Sequence, residues 1–258
     1  MYTHDLDVDA ASAGLKVKKA VFVEVSACDS HLVQEAQWVQ DTYVNDPKSR
    51  LVAMTVSAPV EQGAAATARA LDALQGCAVK GVRRLIQGRE AGFARSDAFV
   101  QGVQEVARRR LPFELCIRAG ARPEQCDDVL ELVRRVPEGV FILDHVGKPN
   151  VAGKEFEEWA KFITALAQFP NCYCKISGLV TEAAAAWSVD DLRPYVLHAL
   201  GQFGYNRCMY GSDWFVCTLA SSILRWMAAL CDIVDSASAD EKQALFSATA
   251  CKVYSLAS

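Results

Sequence analysis

The sequence predicts an α/β fold, a TIM-like (β/α)8 barrel, on three observations. Short β-branched apolar runs alternate with longer segments of helical period along the whole chain. The runs begin about every 30 residues, the size of one strand plus its crossover helix. Most are apolar without alternation, as in VFVEV, FELCI and VFILD, which is how strands covered on both faces read. Seven such units in series favour a barrel over an open doubly wound sheet. The open fold usually has a glycine-rich first turn, and none is present here.

The strands are expected over residues 19–27, 51–60, 79–87, 112–120, 140–149, 172–180 and 208–216. Amphipathic helices fill the gaps. Over 97–110, Phe99, Val103, Val106 and Ala107 keep helical spacing, with Ser96 placed to cap. Val129, Leu132, Val133 and Val136 repeat the pattern, and so do Phe156, Trp159, Phe162, Ile163 and Leu166. Ser188 precedes a helix through Leu192, Val196 and Leu200, and residues 221–234 and 239–254 form the last two. No linker rich in proline, glycine or serine interrupts the alternation, so residues 1–258 read as one domain.

Composition narrows the function classes. A net charge of −4 argues against a nucleic-acid partner, because phosphate binding needs a basic face. The one basic run, Arg108-Arg109-Arg110, falls where a helix should end and complements its dipole. The ten cysteines include no CxxC pair, so neither a zinc knuckle nor a thioredoxin-like motif is indicated. Free thiols in a reducing cytosol account for them, and a cytoplasmic location is expected. The acidic N-terminus lacks the apolar core of a secretory signal, and no apolar stretch is long enough to span a bilayer.

Barrel chemistry gathers at the C-terminal ends of the strands. There the runs end in Glu24, Arg83, Arg84, Arg118, Asp144, His145, Lys175, Ser177 and Asp213. Burying ionisable groups costs free energy unless they pair or do chemistry. Each has a structural alternative. His145 reads also as a hydrogen-bonded core histidine, Asp213 as a helix or turn cap, and Arg83 and Lys175 as barrel salt bridges. Glu24 reads as a partner for one of these cations. Cys172 and Cys174 share one face of a strand and read as apolar packing. His4, His31 and His198 read as surface or packing residues.

Taken together, FILDHVGKP, CYCKISGLVTEA and RCMYGSDWFV resemble the signature blocks of the amidohydrolase-related lactonases, the branch of L-fuconolactone and L-rhamnonolactone hydrolases. VKGVRRLIQ resembles the same family's strand-four block, and the likeness runs in order from about Asp5 to the C-terminus. It implies a barrel of the metallo-dependent hydrolase type and a hydrolase acting on a small-molecule lactone or carboxylate substrate. By the resemblance, Asp213 is the general base that activates water, and His145 polarises the lactone carbonyl. Arg83 contacts the substrate's carboxylate or hydroxyls, and Lys175 and Trp214 belong to the pocket. Lys148 and Glu182 lie in matching blocks without distinct roles. The cofactor expectation is either none or a single divalent, zinc-like metal on His145 and Asp213. Two competing readings are a metal-dependent decarboxylase of the same superfamily and a catalytically inactive barrel.

One departure stands out. Family members open on a strand ending in His-x-His, and this chain has no such motif. DLDVDAASAGLKVKKAVFVEV instead resembles the helix leading into the second strand, so the first strand is expected to be missing. A late start of the sequence and a genuinely shortened chain both account for this. Two consequences are expected: weak or absent metal binding, since a catalytic zinc generally takes three protein ligands, and exposed sheet edges that a homo-oligomer would cover.

Overall fold

The computed structural model describes residues 16–256. His4 and most of the expected helix before the first run lie outside the described residues. The described residues form seven strands: β1 Ala20–Val23, β2 Leu51–Ser57, β3 Val79–Arg83, β4 Phe113–Leu115, β5 Phe141–Leu143, β6 Cys172–Ile176 and β7 Cys208–Tyr210. They pair in sequence order, every pair parallel. This is the sequential topology of a (β/α) barrel, with seven of the eight strands of a closed one.

The strands are shorter than the apolar runs implied. At β4 and β5 only three residues keep the ladder, and the rest of each run becomes the turn that carries the polar residues. Between the strands lie α1 Leu32–Val39, α2 Ala64–Asp72, α3 Asp97–Arg108, α4 Glu124–Arg135, α5 Glu157–Ala167, α6 Leu179–Glu182, α7 Val189–Phe203 and α8 Ile223–Ile233. The C-terminal segment runs from α9 Ala239–Gln243 through a π-turn at Ala244–Ala248 into α10 Thr249–Val253, so the expected helix over 239–254 is interrupted at that turn. The anticipated caps form. Ser96 Oγ accepts from the Phe99 amide, and Ser188 makes a reciprocal capping box with Asp191.

Alternation along each strand divides two cores. Phe113, Leu115, Phe141, Leu143, Cys172, Cys174, Ile176 and Cys208 face the helices in the main apolar core. Cys172 and Cys174 are thus packing residues. On the opposite face Ile142 and Met209, with Val21 and Tyr173, close around Tyr254 from the end of α10. The period of two along a strand then puts Glu114, Asp144, Lys175 and Ser177 on that inner face as well. The sheet curls strongly enough for inner residues two strands apart to touch. Thr55 on β2 donates to Glu114 on β4 over 2.8 Å, although flat neighbours lie about 4.8 Å apart per strand. Gly81 on the intervening β3 makes room, because a Cβ there would meet Thr55 Oγ1 at 2.7 Å and the Tyr254 ring at 3.4 Å.

Candidate active site

A chain of buried charges crosses the inner face. Arg83, ending β3, binds the Glu24 carboxylate through Nε at 2.6 Å and the Glu24 carbonyl through a second nitrogen. Its third contact is to Asp144 at 3.0 Å. Lys175 pairs with the other Asp144 oxygen at 2.9 Å and with Glu114 at 2.5 Å. Tyr254 and Thr55 donate to the remaining Glu114 oxygen. Burial pushes the Asp144 carboxyl up, but Lys175 and Arg83 outweigh it and hold it well below the usual carboxylate range. The expected Glu24 partnership is therefore with Arg83. Arg83 and Lys175, anticipated as substrate contacts, sit where their donors face carboxylates.

Above this chain the peptide turns sharply. His145, Val146 and Lys148 all take positive φ near 52°, with Gly147 between them at 72°. Left-handed backbone is rare for a β-branched residue such as Val146, and strain of this kind concentrates at functional sites. The turn is pinned from outside by Trp159 of α5, whose indole donates to the Val146 carbonyl over 2.7 Å. Asp213, three residues past β7, also has φ 53°. Gly178 and Gly211 make close approach possible. A Cβ on Gly178 would fall 2.7 Å from His145 Cβ, and one on Gly211 would fall 2.9 Å from Ser177 Cβ.

These turns bring His145 and Asp213 face to face. His145 Nε2 stands 3.7 Å from Asp213 Oδ1, with the two side chains 12% and 11% exposed. On the other edge of the ring, His145 Nδ1 lies 2.9 Å from Ser177 Oγ. The Nε2–H tautomer suits both neighbours: Nδ1 accepts from the serine hydroxyl, and Nε2–H points toward the carboxylate. Burial lowers the His145 pKa to about 3, so the ring is neutral at ordinary pH. Burial raises Asp213 to about 6, against the pull of Lys148 in the other direction. A carboxylate tuned this close to neutrality beside a neutral donor is a fitting acid–base pair.

Trp214 follows Asp213, packs partly against the main core and meets the Phe215 ring edge-on at 6.0 Å. His198 is a packing residue against Phe156 and Trp159, and His31 lies at an exposed turn before α1. A cavity of about 320 Å³ beside Trp187 has none of His145, Ser177 and Asp213 in its lining, and its Arg225 stacks on Trp187 at 3.9 Å.

Two donor sets are candidates for a divalent metal. His145 and Asp213 supply two ligands, one short of the usual catalytic zinc set. Cys116, Asp144 and His145 bring one donor atom each to within 4.8 Å of one another. In that set both Asp144 oxygens face cations, and burial holds Cys116 as a thiol by raising it to about 11. As arranged, the described residues do not fit a divalent cation.

Ser177 stands among the polar residues that close the strands, but sequence alone assigns it no role. Its only signal was position, one residue past the end of a strand and two beyond Lys175, on the same inner face.

The family model for amidohydrolases matches residues 5–256. An L-fucono-1,5-lactonase of Burkholderia ambifaria is 33% identical over 150 residues, covering 56% of this chain and 51% of that protein. An L-rhamnono-gamma-lactonase of Scheffersomyces stipitis is 26% identical over 238 residues, covering 81% of this chain and 70% of that protein. The first curated relatives are matched over about half their length, 54% and 51%. Among solved structures, an amidohydrolase from Burkholderia multivorans superposes with a TM-score of 0.84 at 26% identity, covering 98% of this chain and 88% of that one. That protein has been solved with bound Hepes and, in another crystal form, with bound zinc.

Proposed function

This chain belongs to the amidohydrolase family, and from that premise we propose that it is a hydrolase that opens a sugar-acid lactone, with Asp213 as general base. The observation that carries the reading is the facing of His145 Nε2 and Asp213 Oδ1 across 3.7 Å, one group neutral and the other titrating at about 6. Asp213 takes a proton from water as the oxygen attacks the lactone carbonyl. The neutral His145 Nε2–H donates to the oxygen on which negative charge develops. When the ring C–O bond breaks, protonated Asp213 returns its proton to the leaving alkoxide. Ser177 holds the imidazole in the tautomer this needs. Arg83 and Lys175 support the site from below by keeping Asp144 anionic beside His145, and Trp214 forms part of the pocket wall. Relatives named as lactonases support the substrate class.

In this reading the protein works in the cytoplasm and needs no metal for the proton transfers, although a similar amidohydrolase has been solved with zinc. Among the described residues β1 and β7 do not pair with each other, and a homo-oligomer covering these edges belongs to the same proposal.

The test is proton release during hydrolysis of a panel of aldonolactones by the wild type and Asp213→Asn, with and without chelator. Hydrolysis lost in Asp213→Asn and retained in chelator supports the reading. No hydrolysis by folded protein across the panel contradicts it.

A further inference from the structure

Loops following three successive strands converge beside the turn that carries His145. Arg118 and Ala121 come from the loop after β4, Lys148 and Asn150 from the turn after β5, and Glu182 from the end of α6 after β6. Together they line a cavity of about 250 Å³. The walls are tied by backbone. Ala119 N donates to the Gly147 carbonyl over 2.8 Å, and Ala152 N donates to the Glu182 carbonyl over 3.0 Å. A Cβ on Gly120 would lie 2.4 Å from the Asn150 nitrogen, so the first two loops touch main chain to main chain. The cavity is a built feature of the mouth.

Its charge is unbalanced. Two cations face one carboxylate, Glu182, which takes one terminal nitrogen of Arg118 at 2.6 Å. Arg118 Nε is buried and has no hydrogen-bond partner among the described residues. Lys148 gives one of its three donors to Gln87 Oε1 over 2.7 Å. A guanidinium with an unsatisfied nitrogen and an ammonium in the wall of one cavity, with one positive charge in excess, is the arrangement that recognises a carboxylate. A doubly charged phosphate suits it less, because Glu182 stands in the same wall.

We propose that Arg118 and Lys148 form an anion subsite that selects lactones retaining a free carboxylate away from the ring carbonyl. The proposal rests on the lactonase reading of His145 and Asp213 and deepens it to an acidic substrate class; Lys148 lies three residues after His145, and Arg118 follows the neighbouring strand. The lactone carbonyl lies at His145 while the far carboxylate sits in the cavity that Arg118 and Lys148 line. Nothing covalent happens at the subsite; it orients the ring and adds binding energy. Lys148 serves both ends of the substrate, since its charge also reaches Asp213 and His145.

The test compares the gamma-lactones of gluconic and glucaric acid, which differ at the far carbon by a hydroxymethyl group against a carboxylate. The wild type is expected to prefer the charged lactone in kcat/KM. In Arg118→Gln that preference falls by about 10–100-fold, the loss expected for a hydrogen bond to a charged group, and Arg118→Lys recovers part of it. Arg118 is 43% exposed, so these variants are expected to fold. A second measurement does not depend on turnover: calorimetric binding of glucarate to the Asp213→Asn protein, with and without Arg118→Gln. Arg118-dependent glucarate binding without hydrolysis of either lactone would uphold the subsite and reject the lactonase. Hydrolysis with no preference for the charged lactone, together with glucarate binding indifferent to Arg118 and Lys148, would overturn the subsite alone. Absence of both hydrolysis and glucarate binding would overturn both.

Discussion

Replacing Asp213 with Asn should stabilise the fold while it abolishes the chemistry. The reasoning is electrostatic. Burial raises the Asp213 carboxyl from an ordinary 3.8 to about 6, so the folded state holds its proton more tightly than the unfolded chain does. The stability this gives is fully present below pH 3.8 and is lost as the pH rises through about 6. Above that point the folded protein carries a charge that the unfolded chain would hold more cheaply in water. A shift of about two units at about 1.4 kcal/mol each makes the cost about 3 kcal/mol at pH 8. At pH 5 the folded carboxyl is mostly protonated, and the cost falls to about 1.5 kcal/mol. Asparagine has nearly the same shape and no charge, so it escapes both. Urea unfolding of the two proteins at pH 5 and pH 8 measures this. Asp213→Asn should be the more stable protein, with its advantage growing by about 1.5 kcal/mol between the two conditions. A variant that is less stable by the same amount at both would refute the claim that Asp213 is held in a desolvated, pKa-raising site.

Two further substitutions test the surroundings. Ser177→Ala removes the hydroxyl on His145 Nδ1 and frees the tautomer; kcat/KM should fall about 5–10-fold, with partial recovery in Ser177→Thr and no change in the pH midpoint set by Asp213. Lys175→Met leaves Glu114 and Asp144 short of a buried cation and should cost about 3–5 kcal/mol of stability in urea titrations. Combining it with Glu114→Gln should return part of that loss, because the two residues are in direct contact.

The barrel was legible because each apolar run had to lie between a helix layer and an inner face, and periodicity records that burial directly. The strand ends were legible for a related reason: an ionisable residue closing an apolar run has few places to go but the mouth. Roles were less legible. Arg83, Lys175 and Asp213 look alike as polar residues ending strands, yet two are held among carboxylates and one is turned toward His145. What separates them is the left-handed backbone at His145, Val146, Lys148 and Asp213, and nothing in side-chain chemistry announces positive φ at a valine. Tyr254 was hidden for another reason. It closes a helix whose apolar spacing reads as ordinary packing, and only the three-dimensional path of the C-terminal segment brings its hydroxyl within 2.6 Å of Glu114 on β4. Lys148 could be matched to a family block but given no role, because its partners come from the loops after two other strands.

The pH dependence of kcat/KM in the wild type and in Lys148→Met tests most directly whether Asp213 is the base. The wild type should lose activity with unit slope below a midpoint of about 6, and His145, neutral down to about 3, should add no second limb between them. In Lys148→Met the midpoint should move upward, because the cation that lowers the Asp213 pKa is gone. A profile that is flat from pH 5 to pH 8, or a midpoint indifferent to Lys148, would contradict Asp213 as the group that takes the proton from water.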